Sequence, residues 1–337
     1  MYFGGYGRTG AAPDPEKRAA MFRMTRARAA GSLAAAATLA GLRRAALGQA
    51  TIALRTINPP IEGAAQAVYA KEMGFFAKAG FEVSIQIMQA GVPAAVASNS
   101  FEFGWVTADA LANAHARNIP LVAIAPGQEF VYSATGRTNT GLCVVPSSPI
   151  RAAKDLNGKV IAVPSRLGIS ENCTRAWIDK NGGDSTTIKM VEVPFIAMAG
   201  ALEAGRIDCA YVTEPFLTAN AKVERSIGDP QTSIGPRYLV SVWATTATYA
   251  GAHPDIVSRY AAVMRETAIW ANANPEKSGA IVASFTKLDP ATVASMVRSR
   301  FADQLSAALL QPVIDVSAKY NHFTPFPASE LIYVPPR

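Results

Sequence analysis

The segment Pro164-Ser165-Arg166-Leu167-Gly168-Ile169-Ser170 joins an apolar run, Val160–Val163, to a stretch of helical character, Glu171–Lys180. A helix start presents unpaired backbone N–H groups and the positive end of the peptide dipole, which suits an anionic group. Gly168 admits close backbone approach, and Ser165 and Ser170 add hydroxyls. Ser170 is equally suited to capping the helix. Arg166 reads either as a ligand clamp or as a solvated loop charge. Thr107 and Thr213 each end a strand-like run before a helix start, where a threonine touches a ligand or caps. In Glu214-Pro215-Phe216, the proline fits a first helical position and Glu214 complements the dipole. The alternative is that Glu214 accepts a hydrogen bond from an amine or from a facing domain. Gly91-Val92-Pro93 and Asn58–Glu62 end two further strand runs, and their backbone would complete a binding wall.

Catalytic patterns are lacking. The chain has no nucleophile elbow of the G-x-S-x-G type, no P-loop and no HExxH. His115, His253 and His322 have no sequence partner that makes a triad, and each reads as a surface histidine. Cys143, Cys173 and Cys209 fall in apolar strand or helix patterns and read as buried thiols, without ligand spacing to one another or to histidine. No catalytic residue, metal or cofactor is expected.

The elements that would position these residues alternate in period. Thr51–Ile57, Phe81–Met88, Phe101–Val106 and Ile119–Ala125 read as strands, separated by helices over Glu62–Lys78 and Asp109–Arg117. Gly80 is placed for a left-handed helix end. A second series begins near Gly141, with strands Leu142–Val145 and Val160–Val163, helix Glu171–Lys180 and helix Phe216–Lys222. Tyr238–Thr246 reads as one strand returning to the first series, and Asp255–Asn272, Pro275–Thr286 and Pro290–Val297 as surface helices. Within this order, Ile85–Leu111 and Val191–Leu217 align without a gap. Strand positions match in apolar class, Glu102 matches Asp208, Trp105 matches Tyr211, and both copies end a strand in Val-Thr. Repeated β–α–β units imply mainly parallel sheets, and the repeat implies two similar α/β lobes. Ligands bind beyond the carboxyl ends of such strands. Residues 51–140 and 238–337 would form a discontinuous first lobe and 141–237 a second, joined by a two-segment hinge. The second lobe is expected to supply most of the polar recognition, and the first much of the apolar wall.

Charge excludes a nucleic-acid partner. The formal charge of +7 resides almost wholly in residues 1–50, which hold eight Lys/Arg and two acids, against 24 and 23 in the rest. A near-neutral body has no footprint for phosphate backbones. Residues 1–50 have the layout of an export signal: a basic Arg23–Arg28, an apolar Ala29–Leu42, and small residues before Thr51. Thr25-Arg26-Ala27-Arg28 is a broken twin-arginine pattern, so the Sec and Tat routes both stay open.

Lys154-Asp155-Leu156-Asn157-Gly158-Lys159-Val160-Ile161-Ala162-Val163-Pro164, the Ser/Gly loop, Arg175-Ala176-Trp177, Ala199–Tyr211 and Val212–Phe216 together carry a family resemblance. From Thr51 to Phe326 the chain resembles ABC-transporter substrate-binding proteins of the nitrate, sulfonate and taurine group, which includes binders of thiamine-pyrimidine precursors. The resemblance implies a type II periplasmic-binding-protein fold and a monomer in the periplasm. It also implies delivery of a small organic anion or heterocycle to an importer permease in the inner membrane. Carried over by position, the ligand-facing residues are Asn58, Pro60, Ala90, Gly91, Val106, Thr107, Ala108, Ser165, Leu167, Gly168, Ile169, Ser170, Thr213 and Glu214. Sulfonate binders have a Ser-rich loop where this chain has Leu167-Gly168-Ile169-Ser170, which leaves fewer hydroxyl donors. The rival reading is an enzyme of the same fold acting on a pyrimidine or menaquinone precursor. The chain lacks the Cys-rich motif of the pyrimidine enzymes.

Overall fold

Short, near-continuous apolar runs set most strands, as in sheets covered on both faces, Phe81–Ile87 alternates in part, and Gly, Pro and Asn punctuate them. The structure, a computed structural model, describes residues 1, 51–88, 90–132, 138–321 and 323–335. The expected export leader and His322 lie outside the described residues. The chain divides into Met1–Thr51 and Ile52–Arg337, and all the described strands and helices belong to the second unit. Among the described residues, no helix is long and apolar enough to cross a membrane.

Thirteen strands are present among the described residues. They are β1 (Ile52–Asn58), β2 (Phe81–Ile87), β3 (Phe103–Thr107), β4 (Leu121–Pro126), β5 (Gln128–Val131), β6 (Thr140–Val144) and β7 (Val160–Val163). They continue with β8 (Lys189–Glu192), β9 (Cys209–Thr213), β10 (Arg225–Ser226), β11 (Arg237–Leu239), β12 (Ser241–Thr246) and β13 (Arg300–Phe301). The first sheet has the order β2-β1-β3-β12-β4 and the second β10-β6-β9-β7-β8. In the first, only β12 runs against its neighbours; in the second, only β6 does. Both sheets are therefore mainly parallel, one per lobe. Each is packed by helices around its own apolar core, with Phe81, Phe103 and Trp243 in the first and Leu142, Ile161 and Ile178 in the second.

The lobes are joined where β5 leaves the first sheet and β11 returns to it. These strands pair with each other and, through β5, with β13. Glu129, buried at the crossing, accepts hydrogen bonds from Arg237 Nε at 2.9 Å and Arg300 Nε at 2.5 Å. One carboxylate thus ties both crossing strands to the C-terminal part of the chain.

Several element expectations differ from the structure: the helix anticipated over Phe216–Lys222 ends at Ala219, and no sequence expectation covers the strands β5, β10 and β13. The helix anticipated over Glu62–Lys78 is broken into the 3-10 turn Glu62–Ala64 and the α-helices Gln66–Glu72 and Phe75–Lys78, and Gly74 at φ +72° makes the second break. The single strand Tyr238–Thr246 is split at Val240, where its partner changes from β5 to β3 and β4. A helix that the periodicity does not announce, Ala307–Asn321, carries Pro312 inside it. Its Leu310, Val313 and Ile314 share a core with Ile169 of the second lobe. Ser317 Oγ accepts from Asn172 Nδ2 at 3.2 Å, and Tyr320 OH donates to Asp179 at 2.7 Å. This helix spans the gap between the lobes.

Candidate functional site

The repeat holds in three dimensions, and it explains its matched acids. Glu102 precedes β3 and accepts the Arg55 backbone N–H of β1 at 2.6 Å, while its own N–H returns to the Arg55 carbonyl. Asp208 precedes β9 and does the same with Val160 of β7, at 2.8 Å. Each acid closes the open end of a parallel pair, where a backbone N–H would otherwise lack a partner. Asn99 (φ +58°) and Gly205 (φ +64°) are the matching left-handed turns that end the preceding helices. Both are structural positions.

Beyond the carboxyl ends of β3 and β9 lies a cleft of about 460 Å³, within the roughly 300–1,000 Å³ of small-molecule sites. Ala90, Gly91, Val106 and Thr107 line it from the first lobe; Ser165, Leu167, Gly168, Ile169, Ser170 and Thr213 line it from the second. Four of the anticipated residues do not. Asn58 and Ala108 are wholly buried beside the wall, and their neighbours Pro59 and Thr107 face the cleft instead. Pro60 is likewise passed over in favour of Pro59 and Ile61. Glu214 is turned away. Its Oε2 accepts the Thr218 N–H at 3.0 Å, and its Oε1 accepts the Thr218 hydroxyl at 2.7 Å and the Val297 N–H at 3.3 Å. Burial raises its carboxyl pKa. It therefore serves its own helix start and the facing chain.

The capping accounts of the other hydroxyls are not met. The helix Ile169–Lys180 is entered through Gly168 without a side-chain cap, and Thr107 makes no capping bond to the helix Ala108–Ala116. Thr213 donates its hydroxyl to the Asn139 carbonyl at 3.1 Å. Arg166 is fixed in the loop: Nε and Nη2 bind Glu171 at 2.7 and 3.3 Å, and Nη1 binds the Met190 carbonyl at 2.9 Å. Glu171 also accepts from Arg175 and from the Leu167 N–H. Burial opposes its charge, but these donors outweigh burial and hold its pKa low. Leu167 itself stands at φ +57°, and its carbonyl accepts from Asn113 and Asn321 of the first lobe, both at 3.0 Å.

Polar groups come from both lobes, contrary to the expected division. The first lobe adds Asp109, Asn113 and Gln128; the second adds Tyr211 and Gln231, joined by a 2.8 Å hydrogen bond from Gln231 Nε2 to the tyrosine oxygen. Asp109 has no exposed surface, and neither carboxylate oxygen has a hydrogen-bond partner. Burial pushes its pKa up to about 6, although the Thr107 hydroxyl and the Ala110 and Ile169 N–H groups lie near enough to pull it down. Sequence reasoning passed over Asp109 because an acid in a first helical turn is the ordinary complement of a helix dipole. Tyr211 carried a usable signal as the repeat partner of Trp105, which also lines the cleft. Among the described residues no acid, histidine and cysteine cluster is arranged to hold a metal ion. All three cysteines are buried free thiols, and none lines the cleft.

A family model described as NMT1/THI5 like matches residues 63–278. No curated protein matches the sequence significantly. Among solved structures, the periplasmic aliphatic sulphonate binding protein SsuA from Escherichia coli is similar at TM-score 0.68 and 18% identity, covering 85% of this chain and 93% of that one. The alkanesulfonate-binding protein SsuA from Xanthomonas axonopodis pv. citri bound to MOPS gives 0.69 and 17%, covering 83% and 98%. The desulfurization enzyme DSZB gives 0.61 and 16%, covering 84% and 96%. At these identities the likeness establishes the fold, the two-lobed α/β architecture of periplasmic binding proteins.

Proposed function

The chain belongs to the NMT1/THI5-like family, and from that premise we propose that it captures a small organic solute between its lobes and delivers it to an ABC importer permease in the inner membrane. The observation that carries this reading is the cleft itself, which lies beyond the ends of β3 and β9 and is lined by side chains of both lobes. A solute bound there touches both lobes at once, so binding and lobe closure are coupled. Residues 51–140 with 238–337 form one lobe in this reading and 141–237 the other. The protein works as an exported periplasmic monomer, by Sec or Tat. The ligand-facing set comprises the cleft-lining residues Ala90, Gly91, Val106, Thr107, Ser165, Leu167, Gly168, Ile169, Ser170 and Thr213, with Asp109 and Tyr211 added.

DSZB shares the fold, so architecture alone does not separate binding from catalysis. Binding is favoured by the cleft's chemistry, which brings amides, hydroxyls and a carboxyl together without a thiol or a described histidine. The test is a thermal-shift screen of the full chain against small organic molecules, followed by mass spectrometry of each hit. A solute at a hundredfold its dissociation constant should stabilise the protein by about 2.7 kcal/mol and be recovered unchanged. Conversion of the hit to a product would sink the binding reading.

A further inference from the structure

Three charged side chains line the cleft among the described residues: Asp109, Arg117 and Arg166. The two cations are poorly placed to fix an anion. Arg166 is held by Glu171 and the Met190 carbonyl, so its guanidinium is already neutralised and oriented. Arg117 follows the helix Ala108–Ala116 in open solvent, where a Debye length of about 8 Å screens its field. Asp109 is their converse. It is fully buried among the residues that line the cleft, and neither oxygen completes a hydrogen bond, although the Thr107 hydroxyl and the Ala110 and Ile169 N–H groups stand near it. A buried carboxyl whose hydrogen bonds are incomplete is unfavourable, and each such group in a native fold requires an explanation. A donor that arrives with the solute provides one.

The helix start at Ile169, anticipated from sequence as a place for an anion, has Asp109 as its neighbour across the cleft. A sulfonate brought there would stand beside a like charge with no fixed cation between them. The rest of the wall is largely apolar, with Pro59, Ile61, Val92 and Pro93 from the first lobe and Phe195 from the second. Resting on the solute-binding reading, we infer that the solute carries a hydrogen-donating nitrogen, an ammonium or amidinium group on an apolar body, which Asp109 meets in a charge-assisted hydrogen bond.

The experiment is isothermal titration calorimetry of the full chain and of Asp109→Asn and Asp109→Glu. Benzamidine and phenethylamine serve as cationic probes and benzenesulfonate as the anionic one. The wild type should bind at least one cation and not the sulfonate. D109N should weaken cation binding at least tenfold while its thermal midpoint stays at or above that of the wild type. D109E, which keeps the charge, should recover part of the affinity. Equal cation affinity in wild type and D109N overturns the inference, as does benzenesulfonate binding that D109N leaves unchanged or strengthens. Either of those results leaves solute binding standing. Failure of both probe classes to bind overturns the inference as well, whereas the broader reading fails only if the full solute screen is also empty.

Discussion

Asp109 and Glu171 are both buried carboxyl groups in the first turns of helices that face the same cleft, one from each lobe. Glu171 collects Arg166, Arg175 and the Leu167 N–H, and it holds the Ser165–Ser170 loop in shape. Asp109 has no arginine beside it, and the Thr107 hydroxyl and the Ala110 and Ile169 N–H groups stand near it without completing a hydrogen bond. A carboxylate fully bonded by protein donors is part of the scaffold; one whose hydrogen bonds are left incomplete beside a cleft is available to something else. The difference separates the residue that builds the wall from the residue that reads the solute.

Removing Glu171 should have the largest effect. Glu171→Gln leaves two partly exposed arginines without their counter-charge and should destabilise the protein by about 2 kcal/mol, measured by denaturant unfolding at pH 7. Its folded pKa is depressed, so its contribution is present above the unfolded value and lost as pH falls through the folded one. Asp109→Asn should act in the opposite direction. The folded pKa of about 6 lies above the unfolded value. The folded state therefore holds its proton longer, and wild-type stability from this group falls as pH rises from about 4 to about 6. D109N removes that loss and should gain on the order of 1–3 kcal/mol at pH 8, with no gain below pH 4. A variant less stable than the wild type at pH 8 would mean that Asp109 has protein partners after all.

Smaller effects test the likeness of the lobes instead of their difference. Glu102→Ala and Asp208→Ala each remove the acid that closes a parallel strand pair, and each should cost about 1 kcal/mol, with the less exposed Glu102 costing more. If one costs nothing, the repeat is one of topology without energetic equivalence. Thr213→Ala loses the bond to Asn139 and should cost at most about 1 kcal/mol. Thr107→Ala, with no capping bond to lose, should stay within about 0.5 kcal/mol.

Legibility in the sequence followed the range of the interactions. The two copies of strand, helix, left-handed turn and strand were readable because each rests on local periodicity and on residues such as Asn99 and Gly205. The starts of the helices Pro254–Ala273, Pro275–Thr286 and Pro290–Ser295 were readable for the same reason, proline at the first helical position. The helix Ala307–Asn321 was not, because Pro312 interrupts its pattern and its stability comes from packing on both lobes. Within the site, loops were legible and individual side chains were not. Asn58 and Pro59 are adjacent in a loop, yet only Pro59 reaches the cleft.

By itself, the sequence determined two mainly parallel α/β lobes, the repeat that relates them, and a cleft at the ends of β3 and β9. Periodicity, turns and strand pairing are local or repeat at a fixed offset, so they are written in the order of residues. Tertiary structure alone decided that Glu129 would tie the crossing strands and that Glu171 would neutralise Arg166. It also decided that Asp109, by its position an ordinary dipole-complementing acid, would be buried at the cleft wall without completing a hydrogen bond. The physical reason is that burial and partnership are properties of what the rest of the chain brings alongside a residue, and beside Asp109 the opposite lobe brings a backbone N–H of Ile169 but no side-chain cation.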